Sequence, residues 1–262
     1  MASYSDPFGE TSLNEPPPRH SKRAVPKWVF WLLPILAVGA LGTVLTVSGG
    51  DLYEQPRNME AFVAKIRDAT VTVYCGEGGG SGWAIELGTL AGGEVDPSYP
   101  TEIVTNHHVI EDCLDQAWVE VSSPSFPGFV RAYIHDYDGY FDDIALLVTD
   151  QDIPALRPSF DEPRIGQWAM AVGSPGTWTV SQGLLQGNVT FGRVTNFAES
   201  LVVTDAAVNY GNSGGPLVNS LGEVLGTNTW IDAGELTDNI TYAQGTPVLC
   251  RTIIRCRVDL EW

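Results

Sequence analysis

Basic side chains are scarce in this chain. Lysine and arginine together number 14 against 32 aspartates and glutamates in 262 residues, a formal net charge of −18. The imbalance is uneven: the first 50 residues carry four basic and three acidic side chains, the remainder ten and twenty-nine. A surface of that sign repels phosphate backbones and anionic headgroups, which excludes nucleic acid as a partner and leaves solubility or attraction of basic partners as the role of the charge. Cysteine is limited to Cys75, Cys113, Cys250 and Cys256, without the paired short spacings of a zinc site, so no metal or other cofactor is called for. Histidine also numbers four, which narrows the choice of any catalytic base. No internal repeat is strong enough to use.

What is present begins with one long uncharged run. Residues 28–47 are twenty mostly apolar residues, broken by Pro34, glycines and threonines, and as a helix they can cross a hydrocarbon core of about 30 Å. Lys22, Arg23 and Lys27 precede the run while Asp51 and Glu54 follow it, so the N-terminus is expected to stay in the cytoplasm and the rest to be exported. A cleavable leader ending at Val38-Gly39-Ala40 is the alternative, although the apolar run continues past Ala40. The expected organisation is a disordered cytoplasmic tail over 1–27, a transmembrane signal anchor over 28–48, a linker over 49–57 and a folded exported domain over 58–262.

All four cysteines fall on the exported side, where disulfides persist. Cys75 with Cys113 is the favoured pair, closing a loop of 38 residues and adding about 4 kcal/mol in the chain-entropy treatment. On an unbroken helix Cys250 and Cys256 would stand about 9 Å apart along the axis, so they can join only if the helix ends first.

After the linker, Met59, Phe62, Val63 and Ile66 follow a helical repeat behind Asn58, a natural cap. From Ala69 the pattern changes to short β-rich runs separated by turn residues: 71–75, 82–87, 102–105, 118–122, 129–135, 144–149, 168–172, 184–189, 201–205, 216–219, 224–231 and 240–243. A dozen short strands imply an all-β sandwich or barrel pair, dividing near 151–165. A final helix is expected with Thr246 as its cap, Pro247 in its first turn and its end near Arg255.

The chemistry is concentrated in three segments. Asn209-Tyr210-Gly211-Asn212-Ser213-Gly214-Gly215-Pro216-Leu217 sets one hydroxyl among small residues, where the backbone can turn sharply and aim amide hydrogens at an oxyanion. A serine nucleophile needs a base within hydrogen-bond reach and a third group to orient that base. His20 is on the wrong side of the membrane and His135 stands among acids, which leaves His107 and His108. At the end of a strand only one of those two can face the cleft. Asp143, where an acidic loop enters the apolar run 144–148, is the favoured orienter, with Asp142 as its competitor. Gly211 and Ser213 are the expected oxyanion donors. The acidic loop 136–143 reads as a solvated turn, since a calcium loop would need ligand spacing that is missing.

The chain resembles the trypsin-like serine proteases, and within them the HtrA (DegP-like) branch. The matching segments are Val104-Thr105-Asn106-His107-His108-Val109, Asp143-Ile144-Ala145-Leu146-Leu147, Thr204-Asp205-Ala206-Ala207-Val208-Asn209 running into Gly211-Asn212-Ser213-Gly214-Gly215-Pro216-Leu217, and Gly222-Glu223-Val224-Leu225-Gly226-Thr227-Asn228-Thr229. The resemblance implies that His108 is the base, that two perpendicular six-stranded barrels contribute His108 and Asp143 from the first and Ser213 from the second, and that residues 173–181 form a mobile loop beside the site. It further implies a specificity pocket shaped by Ala207, Val208, Gly226, Thr227 and Asn228. No acid stands at the expected pocket base and no histidine occupies the strand after Ser213, which disfavours cleavage after basic residues or glutamate and points to a small aliphatic residue. Members of the branch commonly carry a PDZ domain after the protease, and none is expected before Trp262. The implied function is a membrane-anchored extracytoplasmic serine endopeptidase acting on polypeptides. The alternative is a catalytically silent peptide clamp or stress sensor. An α/β-hydrolase esterase would need another chain order and an elbow motif, neither of which is present.

Overall fold

The computed structural model describes residues 51–88, 98–175, 186–198, 200–231 and 240–256, with the side chains of Trp230 and Ile231 outside that description. The expected tail and membrane anchor, and most of the loop 173–181, lie outside the described residues. Among the described residues no helix is long and apolar enough to cross a membrane.

Helix α1 (Met59–Asp68) starts where the Asn58 side chain accepts the Ala61 N–H, and the stripe Met59, Phe62, Val63 and Ile66 packs on the core. Six strands follow: β1 (Thr70–Cys75), β2 (Gly78–Ala84), β3 (Thr101–Thr105), β4 (Trp118–Ser123), β5 (Phe126–Asp138) and β6 (Ile144–Thr149). They close into a barrel in the order β1-β2-β3-β6-β5-β4. The next six are β7 (Trp168–Gly173), β8 (Asn188–Ala198), β9 (Leu201–Thr204), β10 (Pro216–Asn219), β11 (Val224–Ile231) and β12 (Thr241–Gly245). These close in the order β10-β11-β12-β9-β8-β7, which is the first barrel's order shifted by six strands. The repeat absent from the sequence is therefore present in the topology.

Strand alternation divides the core between the two barrels. In β6, Ala145 and Leu147 fill the first barrel while Ile144 and Leu146 join the layer between barrels. In β7, Ala169 and Ala171 fill the second barrel while Met170 and Val172 join the same intervening layer. Both strands are buried on both faces, which explains their continuous apolar sequence. Trp83 is wholly buried in that layer and donates its indole N–H to Thr227 Oγ1 at 3.1 Å, so its one polar atom is satisfied across the junction.

Four elements differ from expectation. The strand expected at 82–87 is β2, which begins at Gly78 because Gly79 and Gly80 pair with Tyr74 and Val73 instead of turning. Of the strand expected at 184–189, residues 184 and 185 lie outside the described residues, and the strand found is β8 (Asn188–Ala198), whose exposed and half-buried residues of mixed polarity are held by ladders to β7 and β9. Gly245, not Thr246, precedes the final helix α2 (Thr246–Leu249), because Thr246 Oγ1 donates to the Ser159 carbonyl. Beyond Leu249 the helix widens into a π-helical turn (Cys250–Ile254) and stops at Arg255, whose φ is 53°. That stop brings the Cα atoms of Cys250 and Cys256 to 4.9 Å, and the two are bonded. Cys75 and Cys113 are also bonded, tying the end of β1 to the 3₁₀ turns that follow His108.

Candidate active site

His108 sits on a short 3₁₀ turn (His107–Val109) directly after β3, not on the strand itself. The two neighbouring histidines are separated by that turn. His107 faces Gly139 and the ring of Tyr137, whose centroid is 5.2 Å away, whereas His108 faces Asp143. Asp143 Oδ1 accepts the His108 backbone N–H at 2.9 Å, and Oδ2 stands 2.7 Å from His108 Nδ1. One carboxylate therefore fixes both the turn and the ring, leaving the far nitrogen, Nε2, for chemistry. The pair is accessible, with side-chain exposures of 43% for His108 and 28% for Asp143.

Asp143 adopts this pose with φ at 41°, in the left-handed region that non-glycine residues seldom occupy. Such a conformation costs on the order of 1–3 kcal/mol and persists only where its surroundings impose it. Here the wholly buried Asn106 donates Nδ2 to the Asp143 carbonyl at 2.8 Å, and to Thr229 Oγ1 at 3.1 Å. Asp142, the competitor as orienter, points elsewhere: Thr252 Oγ1 donates to its Oδ2, and Arg251 Nη2 lies 3.6 Å from its Oδ1. The preceding turn is organised by Asp138, whose Oδ1 accepts the amides of Tyr140, Phe141 and Asp142 at 3.0, 2.8 and 3.2 Å. Those amide hydrogen bonds, led by Phe141, hold the Asp138 carboxyl below the usual carboxylate range.

Ser213 lies on the tight loop before β10, half-buried. Gly211 and Gly214 bracket it with φ of 97° and 87°. The loop rests against β2 so closely that a Cβ on Gly214 would meet the Ser81 carbonyl at 2.0 Å, and one on Gly80 would meet the Ser213 carbonyl at 2.6 Å. This contact is the reason for the glycine-rich strand. Ser81 completes the cradle: its N–H donates to the Ser213 carbonyl and its hydroxyl to the Gly211 carbonyl, both at 2.7 Å. Among the described residues, neither the Gly211 nor the Ser213 amide donates a backbone hydrogen bond. The Ser213 hydroxyl donates to the Thr229 carbonyl at 3.2 Å.

Of the residues expected to shape a pocket, Ala207 is exposed and Val208 belongs to the second barrel's core. Gly226, Thr227 and Asn228 are buried in β11, where Thr227 accepts from Trp83 and Asn228 Nδ2 is shared by the Val172 and Pro216 carbonyls. Sequence reasoning missed Ser81, Asn106, Thr252 and Gln244, whose Nε2 donates to the Asp142 carbonyl. Asn106 lies beside His107-His108 and could have been noticed, whereas nothing local marks Ser81.

Residues 80–226 match the family model described as a trypsin-like peptidase domain. The chain is 32% identical over 222 residues to the serine endoprotease DegS of Escherichia coli K12, covering 81% of this chain and 61% of that protein. It is 34% identical over 153 residues to a probable periplasmic serine endoprotease, DegP-like, of Chlamydia trachomatis, covering 50% of this chain and 26% of that protein. These matches thus span about a quarter to three fifths of the relatives' lengths. The serine endoprotease of Yersinia pestis has a similar solved structure, with a TM-score of 0.58 and 27% identity over 76% of this chain and 66% of that one.

Proposed function

The chain belongs to the trypsin-like peptidase family, and we propose that it is a serine endopeptidase in which His108, Asp143 and Ser213 form the catalytic triad. The observation that carries this reading is the double hold of Asp143 on His108, through the backbone N–H and through Nδ1. With Nδ1 engaged, Nε2 is the nitrogen that takes the Ser213 proton as Oγ attacks the scissile carbonyl. For that step the Ser213 side chain has to leave the Thr229 carbonyl, to which its hydroxyl donates at 3.2 Å. The Gly211 and Ser213 amides stabilise the tetrahedral oxyanion. Protonated His108 then gives its proton to the departing amine, and water hydrolyses the acyl-enzyme by the same steps in reverse order.

The substrates are polypeptides in an extracytoplasmic compartment. The two disulfides, the apolar run over 28–47 and the relatives described as periplasmic support that location and a single N-terminal membrane anchor. The domain limits proposed are those of the sequence: a tail over 1–27, the anchor over 28–48, a linker over 49–57 and the protease from 58 onward.

A second reading is a peptide-binding or stress-sensing protein that no longer cleaves, and the engagement of the Ser213 hydroxyl with Thr229 favours it. A fluorophosphonate probe separates the two. Labelling of the folded chain that Ser213→Ala abolishes is the outcome expected of an endopeptidase, and a folded chain that resists the probe would overturn that reading in favour of the silent one.

A further inference from the structure

Asp142 and Asp143 are adjacent acids with different employments. Asp143 spends both oxygens on His108, in a backbone conformation that an L-residue seldom adopts unaided. Asp142 spends its oxygens on the C-terminal turn, accepting from Thr252 Oγ1 and lying beside Arg251. Its carbonyl accepts Gln244 Nε2 from β12, and its amide donates to Asp138. Every polar group of Asp142 is therefore committed, and three of those commitments reach residues of the second barrel or its C-terminal extension.

Arg251 and Thr252 stand inside the ring closed by the Cys250–Cys256 disulfide, which the Cys256 N–H to Cys250 carbonyl bond also closes at 3.1 Å. Ile253 and Ile254 of the same turn pack with Ile144 and Leu146 of β6, so the ring is seated on the strand that Asp143 opens. Resting on the triad reading above, we propose that Asp142 is a positioning residue: clamped by Thr252 of the disulfide-closed turn, it imposes the left-handed backbone at Asp143 that presents both carboxylate oxygens to His108. The C-terminal turn thereby governs the reactivity of a site to which it contributes no side chain. Arg251 adds little, because it is exposed and 3.6 Å away.

The test uses the full-length chain with Asp142→Ala, Asp142→Asn and Thr252→Val. One readout is the rate of fluorophosphonate labelling. The other is the downfield proton resonance of His108 Nδ1–H, which reports its contact with Asp143 whether or not the serine reacts. A displacement of about 1 Å at a catalytic group lowers rate by about 100-fold, and that loss is expected for Asp142→Ala and Thr252→Val, together with loss of the resonance. Asp142→Asn, whose amide oxygen still accepts from Thr252, should keep the resonance and most of the rate. Should Asp142→Ala fail to fold, Thr252→Val decides alone, since it replaces one hydroxyl by a methyl at constant shape. Wild-type rate and an intact resonance in Thr252→Val would overturn the proposal. If the wild type itself resists the probe, the endopeptidase reading fails, while the resonance still tests the role of Asp142.

Discussion

The Ser81 hydroxyl in the first barrel donates to the Gly211 carbonyl in the Ser213 loop of the second, at 2.7 Å, across 130 positions of sequence. The same oxygen accepts the Ser174 amide at 2.9 Å, so one buried hydroxyl serves two backbone groups of the second barrel.

Ser81→Ala leaves the Gly211 carbonyl and the Ser174 amide without that partner in a dry interface. The expected loss is about 1–3 kcal/mol in a denaturant titration, with slower fluorophosphonate labelling because the loop proposed to hold the oxyanion loses its support. An unchanged titration midpoint and labelling rate would show that the cradle is dispensable.

Gly214→Ala combines two penalties. The residue has φ at 87°, and its new methyl would meet the Ser81 carbonyl at 2.0 Å, a backbone atom that cannot swing aside. Labelling at Ser213 should be lost along with stability, and a variant that melts and labels like wild type would refute the close packing described here.

Removing the Cys75–Cys113 bond with paired Cys→Ser changes should cost roughly 2–5 kcal/mol, as for native disulfides in small exported domains. The bond joins β1 to the segment just beyond His108, so its loss should also slow labelling. Chemical unfolding of oxidised wild type beside the double variant checks the first expectation, and a midpoint shift of zero would contradict it.

Asp138 gives a pH signature. Its carboxyl is depressed in the fold by the amides of Phe141, Asp142 and Tyr140, so in acid the unfolded chain binds the proton more readily than the folded one and stability rises with pH. The advantage of wild type over Asp138→Ala should be complete above about pH 4, the ordinary aspartate value, and disappear as pH falls below it through the folded value. Thermal melts of both chains from pH 6 to pH 2.5 measure the gap, and a gap that does not narrow would sink the assignment.

Much of this site was legible before any coordinates. The segments holding His108, Asp143 and Ser213 carry local signals: a strand end, an acidic entry into an apolar strand, and a run of glycines about a serine. The choice between the two histidines was legible only by resemblance, because the alternation argument assumed a strand where the backbone forms a 3₁₀ turn. The two aspartates differ in partners far away in sequence: Thr252, 110 positions from Asp142, and His108, 35 positions from Asp143.

The chain's own order of residues determined the strand-rich architecture, the two-sided burial of β6 and β7, and the three chemical segments, because apolar alternation and turn residues act over a few positions. Tertiary structure alone decided that Gly78–Ala84 is a strand pressed against the Ser213 loop, that Asp142 looks to the C-terminal turn, and that Ser81 spans the barrels. Those outcomes depend on close approach between segments a hundred or more positions apart, and such contacts leave no periodic trace in the residues on either side.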